Sequence, residues 1–158
     1  MSVEGRPVGS SRVEMSHLLL PNEANPLGTV HGGIIMRLVD EAGGVAAARH
    51  AKRHCVTAAI DSMRFLAPAR VGDLVILKAS VNFVGTTSIE AGVRVEMEDL
   101  LTGRHTHISS AYIVYVALGD DGTPCHVPPL IPESDEDRRR MAEASLRRDR
   151  RLQRKTTR

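Results

Sequence analysis

The chain has 158 residues, 42% of them apolar and 25% charged, with a net charge of +2 at neutral pH. That size and balance describe one globular domain with a single core, and no apolar run reaches the 18 residues expected of a membrane-spanning helix. Two isolated cysteines, Cys55 and Cys125, are too few for a disulfide framework and fit a reducing cytoplasm.

The charge is split along the chain. Residues 133–158 carry ten of the 21 basic and six of the 19 acidic residues, a surplus of four, which leaves the body at −2. The body therefore exerts no general pull on nucleic acid, and the basic tail has no aromatic residues on which bases could stack.

The opening MSVEGRPVGSSR has neither an apolar stretch nor a cleavage pattern, so residues 1–10 read as a short extension and not a secretory signal. Next, Val13, Met15, His17 and Leu19 alternate with Arg12, Glu14, Ser16 and Leu18, the period of a strand. The stretch NPLGTVHGGIIMRLVD, residues 25–40, ends a turn-rich loop in two glycines and starts a strongly apolar helix there. The helix is expected over residues 33–51. Ile34, Ile35, Met36, Leu38, Val39, Val45 and its alanines cover nearly the whole circumference, so its surroundings should enclose it.

Asp40 lies inside that helix, although aspartate is a mediocre helix former and costly to bury. One account is structural, with Asp40 satisfied by hydroxyls or by Arg37; the other is chemical. Gly43-Gly44, mid-helix and without a phosphate-loop pattern, is expected to allow close packing across a dimer.

Residues 56–68 (VTAAIDSMRFLAP) form a further strand candidate that ends at Pro68. The clearest pair follows: in LVILKASVNFV, Val75, Leu77, Ala79, Val81 and Phe83 face one way. After the turn Gly85-Thr86-Thr87, Ile89, Ala91, Val93, Val95 and Met97 do the same. This is a half-buried antiparallel hairpin. Residues 105–118 become apolar on both faces, which suits a central strand or one covered by a partner. Past Gly119-Asp120-Asp121-Gly122 and a Pro-rich run, Ser134 can cap a helix with Asp137 three residues on. The Arg-rich tail, residues 131–158, reads as a solvated helix laced with salt bridges or as a disordered end. One strand, one enclosed helix and four strands in antiparallel succession make the fold α+β: an antiparallel sheet of about five strands wrapped around a central helix, the hotdog architecture.

Chemistry concentrates around the helix start. The first amides of a helix are unpaired and carry partial positive charge, and glycine lets a ligand come close to them. His31-Gly32-Gly33 therefore suits an oxyanion such as the tetrahedral intermediate of acyl transfer, or simply makes a tight loop-to-helix turn. Gly32 and Asp40 are eight residues apart, about 12 Å along one helix. That is too far for both to serve one carbonyl carbon. Either they are unrelated, or Gly32 of one chain works with Asp40 of a second, which places the site at a dimer interface.

The order Asn25, His31-Gly32-Gly33 and Asp40, followed by VTAAIDSMRFLAPARVGD, resembles the hotdog-fold acyl-CoA thioesterases, in particular the acyl-CoA hydrolase branch. The likeness covers the domain at residues 11–130. It implies hydrolysis of acyl-CoA to free acid and coenzyme A, with Asp40 as general base or nucleophile. Gly32 then polarises the thioester carbonyl, and Asn25 of the opposite protomer orients water or carbonyl. His31 and Gly33 shape the loop around the substrate, Arg64 is a candidate for the coenzyme A phosphates, and Thr86, Thr87 and Ser88 touch the pantetheine arm. Burial is expected to raise the Asp40 pKa and make it a stronger base. The resemblance further implies no metal or redox cofactor, since coenzyme A belongs to the substrate. It implies a cytoplasmic homodimer, assembling in this family into hexamers as trimers of dimers, with no nucleic-acid or membrane partner. In one departure, the hydroxyl that some members carry one turn after the carboxylate is replaced by Gly44.

Two rivals are weaker. A hydratase or dehydratase on this fold resembles a loop histidine fourteen residues before the carboxylate, where this chain has Pro26. An acyl-CoA sensor would be expected to carry a DNA-binding segment ahead of the first strand. Of the remaining polar residues, His105, His107, Cys125 and His126 lack the spacing of a metal set. Lys78, Arg94 and Arg104 join Arg64 as phosphate candidates. Asp61 is expected in a salt bridge near Arg64, and Glu41 and Glu90 at solvent or a subunit contact.

Overall fold

The computed structural model describes residues 3–157. In chain order its elements are β1 (Arg6–Pro7), β2 (Val13–Leu18), α1 (Gly32–Ala51), β3 (His54–Phe65), β4 (Leu74–Val84), β5 (Ser88–Glu98), β6 (His105–Leu118), β7 (Leu130–Ile131) and α2 (Asp135–Thr156). Short 3₁₀ turns occupy Val8–Ser11 and Pro21–Glu23. Five strands form one antiparallel sheet in the order β2-β4-β5-β6-β3, and α1 packs along its inner face. This is the expected α+β hotdog arrangement.

The alternation in the sequence builds the sheet. In the β4–β5 pair, Leu77 stands opposite Val95 and Val81 opposite Ala91, all buried, while Lys78 faces Arg94 on the other side. Ile35, Leu38, Val39, Ala42, Ala46 and Ala47 of α1 close the core against them. Each large side chain buried in this way contributes roughly 1.5–3 kcal/mol. The helix begins at an N-cap, His31, whose Nδ1 accepts from the Gly33 amide at 3.1 Å. It ends at Lys52 in a left-handed conformation (φ 54°), whose N–H bonds the Ala48 carbonyl at 2.8 Å.

Three features differ from the sequence reading. β3 does not pair with β4, its successor in the chain; it crosses to the far edge and pairs with β6. Its exposed side is apolar, with Val56, Ile60, Phe65 and Leu66 all at least 43% accessible. Second, α1 is enclosed only on the side that meets the sheet. Met36, Arg37, Glu41 and Val45 form an open flank, because no layer among the described residues covers the helix there.

Third, α2 is neither freely solvated nor disordered. Ser134 caps it by accepting from the Asp137 amide at 3.1 Å, and the helix then crosses the outer face of the sheet. Asp137 pairs with Arg12 at 2.9 Å beside β2, Arg147 with Glu90 on β5 at 2.7 Å, and Arg151 with Asp61 on β3 at 2.8 Å. Arg147 also lies 3.6 Å above the Tyr112 ring. Burial disfavours the Asp137 charge, but the Glu133 amide, Arg12 and Ser134 outweigh it and hold the carboxyl below the usual aspartate range. Thus Glu90, expected at solvent or a subunit contact, is 2% exposed, because α2 covers it. Asp61 does form a salt bridge, with Arg151 and not with its neighbour Arg64. The chain ends meet as well: β1 pairs in parallel with β7, and buried His50 donates to the Pro128 carbonyl at 2.9 Å.

Candidate active site

Asp40 sits a little over two turns into α1, on the boundary between its buried stripe and its open flank. Its carboxylate is partly exposed and not fully buried, since only the strands on one side reach it. Oδ1 accepts two hydrogen bonds, from the Thr57 hydroxyl on β3 at 2.7 Å and from the Tyr115 hydroxyl on β6 at 3.2 Å. The same phenol also meets the Asp40 main-chain carbonyl at 2.9 Å. Oδ2 has no hydrogen-bond donor among the described residues. Arg37 is not the partner of Asp40; it faces Glu41 at 3.8 Å and Glu23 at 4.0 Å.

Thr57 and Tyr115 are direct partners in the β3–β6 ladder. One strand register therefore delivers both hydroxyls to one carboxylate oxygen. Neither residue was among the candidates from the sequence, which looked for a hydroxyl on the helix at position 44 and found glycine. Tyr115 is buried, and burial together with the Asp40 carboxylate pushes its phenol far above the ordinary tyrosine range. It remains protonated and acts as a donor. Cys55, two residues before Thr57, is pushed up to about 11 by burial and by Cys125, so it is a thiol and not a thiolate at neutral pH.

The other sequence candidates lie elsewhere in the chain. Asn25 is held in its own loop: Nδ2 donates to the Thr29 hydroxyl and Oδ1 accepts from the Leu27 amide, both at 2.9 Å. The Gly33 amide is taken by His31, whereas the Gly32 amide has no acceptor among the described residues. No hydrogen bond joins Asn25, His31, Gly32 or Gly33 to Asp40. Thr86 and Thr87 use their carbonyls to accept from Val127 and Ala117, and Ser88 opens β5. Arg64, exposed on β3, has no ion-pair partner among the described residues.

Lys78 and Arg94 both pair with Glu96 on the outer face, at 3.3 and 2.9 Å. They line a cleft of about 530 Å³ under α2, together with Arg12, Tyr112 and Arg147. That cleft lies across the sheet from Asp40 and shares no residue with the carboxylate's surroundings. Among the described residues no three histidine, cysteine, aspartate or glutamate side chains converge as a metal-ligand set. No described helix is long and apolar enough to cross a membrane.

Comparison with known proteins identifies the family. Residues 27–103 match the family described as the thioesterase superfamily. The chain is 37% identical to an uncharacterized acyl-CoA thioester hydrolase of Bacillus subtilis, over 85% of this chain and 78% of the relative. It is 32% identical to the cytosolic acyl coenzyme A thioester hydrolase of Rattus norvegicus, but spans only 39% of that longer protein. An apo-hexameric acyl-CoA thioesterase superposes with a TM-score of 0.93 at 36% identity, over 99% of this chain and 100% of that one. An acyl-CoA hydrolase from Staphylococcus aureus, solved with butyryl coenzyme A, coenzyme A and coenzyme A disulfide, superposes with a TM-score of 0.89. Its identity is 32%, over 96% of this chain and 93% of that one. In that enzyme an asparagine, an aspartate and a threonine have each been replaced by alanine, at positions spaced by 15 and then 17 residues. Asn25, Asp40 and Thr57 have the same spacing.

Proposed function

The chain belongs to the thioesterase superfamily, within its acyl-CoA thioester hydrolases, and from that premise we propose that it cleaves acyl-CoA to a free carboxylic acid and coenzyme A with Asp40 as the reacting carboxylate. The observation that carries this reading is the asymmetric hold on Asp40. Oδ1 is engaged by two hydroxyls, and Oδ2 has no donor among the described residues. A carboxylate positioned in this way takes a proton from water as the water oxygen attacks the thioester carbon. The carbon–sulfur bond then breaks, and the thiolate leaves and is protonated. A cysteine-like thiol, with a pKa of about 8.5, departs without strong acid assistance. The free Gly32 amide at the positive end of α1 meets the developing oxyanion.

Gly32 lies about 12 Å along the helix from Asp40 of its own chain, and Asn25 makes its side-chain hydrogen bonds to Leu27 and Thr29 and not to Asp40. We assign them to the site of a second copy, so the functional unit is at least a homodimer with two composite sites. The hexameric assembly of the structural relative supports further association. Arg64, His31, Gly33, Thr86, Thr87 and Ser88 remain proposed contacts to coenzyme A and its pantetheine arm. A cytosolic location follows the naming of the rat relative.

Release of free thiol from a panel of short, long and aromatic acyl-CoAs tests this directly. Asp40→Asn keeps the size of the side chain and removes the base, so kcat/KM should fall by about 10²–10⁴-fold. A fully active Asp40→Asn enzyme would make the aspartate structural. A wild-type protein that binds coenzyme A and hydrolyses none of the panel would be a sensor.

A further inference from the structure

We infer that Tyr115 is a positioning residue for the reacting carboxylate, and that Gly43 is glycine because this tyrosine must fit against it; the inference rests on Asp40 as the reacting group. Each part has its own observation. The phenol bridges two atoms of the same residue, the Asp40 main-chain carbonyl at 2.9 Å and carboxylate Oδ1 at 3.2 Å. A donor shared in this way ties the carboxylate to its own helical backbone and fixes the side-chain rotation. Thr57 holds Oδ1 from the opposite strand, so the carboxylate cannot turn without losing both donors.

The ring has nowhere else to go. Tyr115 is 1% exposed on a strand paired on both sides, with Ile89 on β5 and Thr57 on β3. On the helix side, a Cβ at position 43 would stand 2.5 Å from the phenol oxygen and 3.2 Å from two ring carbons. At position 44 the nearest ring carbon is 3.6 Å away. Gly43, which in the sequence suggests packing across a dimer, makes a notch for a tyrosine of its own chain, whereas Gly44 is at ordinary contact distance from it. Around the hydroxyl the titratable neighbours are Asp40 on α1 and Cys55 on β3. Cys55 is neutral across the working pH range, so the phenol answers to the carboxylate alone.

The pair of positions allows a test that separates positioning from packing. Tyr115→Phe keeps the ring and removes the donor. Its kcat should fall ten- to a hundredfold, as for one hydrogen bond to a charged group. KM should stay within about twofold, since the donor touches the carboxylate and not the substrate. Gly43→Ala alone should lower both the melting temperature and kcat by displacing the hydroxyl. In the double variant, the alanine methyl occupies the space that the hydroxyl leaves. The melting temperature should therefore recover toward wild type, while kcat stays at the Tyr115→Phe level. If Tyr115→Phe is too unstable to assay, the double variant carries the kinetic comparison. Wild-type kcat in Tyr115→Phe would overturn the inference, and so would recovery of kcat in the double variant. Either result beside an inactive Asp40→Asn enzyme leaves Asp40 standing as the reacting group, whereas an active Asp40→Asn enzyme removes that role and with it the premise of the inference.

Discussion

Thr57 donates its hydroxyl hydrogen bond to Asp40 from a strand whose alternation is broken. The β3–β6 register shifts once between Thr57 and Ala59 and again between Ile60 and Ser62. Each bulge reverses which side chains face the helix, so residues 56–65 cannot be sorted into inner and outer faces by counting in twos. Thr57 is hidden in the sequence for that reason, while Asp40, the one carboxylate at the edge of an apolar helical stripe, stands out. Thr57→Ala should lower kcat about ten- to a hundredfold, and Thr57→Ser should retain most of the activity, because serine offers the same donor. Steady-state thiol release measures both. Equal losses in the two variants would show that the methyl group matters and not the hydroxyl. The glycines of the helix were legible as a point of close approach; that a tyrosine from β6 fills it depends on a tertiary pairing that no local pattern encodes.

The amphipathic strands were legible almost to the residue, because half-buried antiparallel pairs impose strict alternation. α2 was legible only in part. Its cap, Ser134 with Asp137, is local and was readable, but its anchors Glu90 and Asp61 lie far back in the chain. A helix this rich in charge reads as a solvated one until those partners are known. The anchors differ in weight. Glu90 is buried among Arg147, Arg151 and Asn82. Removing it with Glu90→Ala leaves cations without a counter-charge and should cost about 3–5 kcal/mol of stability. The exposed pair of Arg140 with Glu136, at 3.2 Å, is screened by solvent, and its loss in Arg140→Ala should leave stability nearly unchanged. Urea unfolding of the two variants compares them directly; equal losses would show that α2 is held by something other than its buried ion pairs.

In the single chain, the helix that carries Asp40 has an open flank, and the sheet ends in an apolar edge at β3. Unpaired, apolar edges invite another strand, and the proposed composite site needs a second copy on this side. Sedimentation should therefore find the wild type dimeric or larger. Ile60, 43% exposed on that edge, is the place to break the contact. Ile60→Lys should yield folded monomers that have lost thiol release, and an active monomer would exclude the composite site. The position of β3 also governs when the protein becomes an enzyme. β3 is made directly after α1, yet its only ladder partner among the described residues is β6, which leaves the ribosome three strands later. Until the chain has been synthesised past Tyr115, both hydroxyls that orient Asp40 are missing from their places, and the closure of that long loop is a slow, entropically demanding event. A nascent or partly folded chain therefore holds its carboxylate unaimed, and the aim that the proposed hydrolysis needs arrives in one late step with β6, the last strand of the five-stranded sheet.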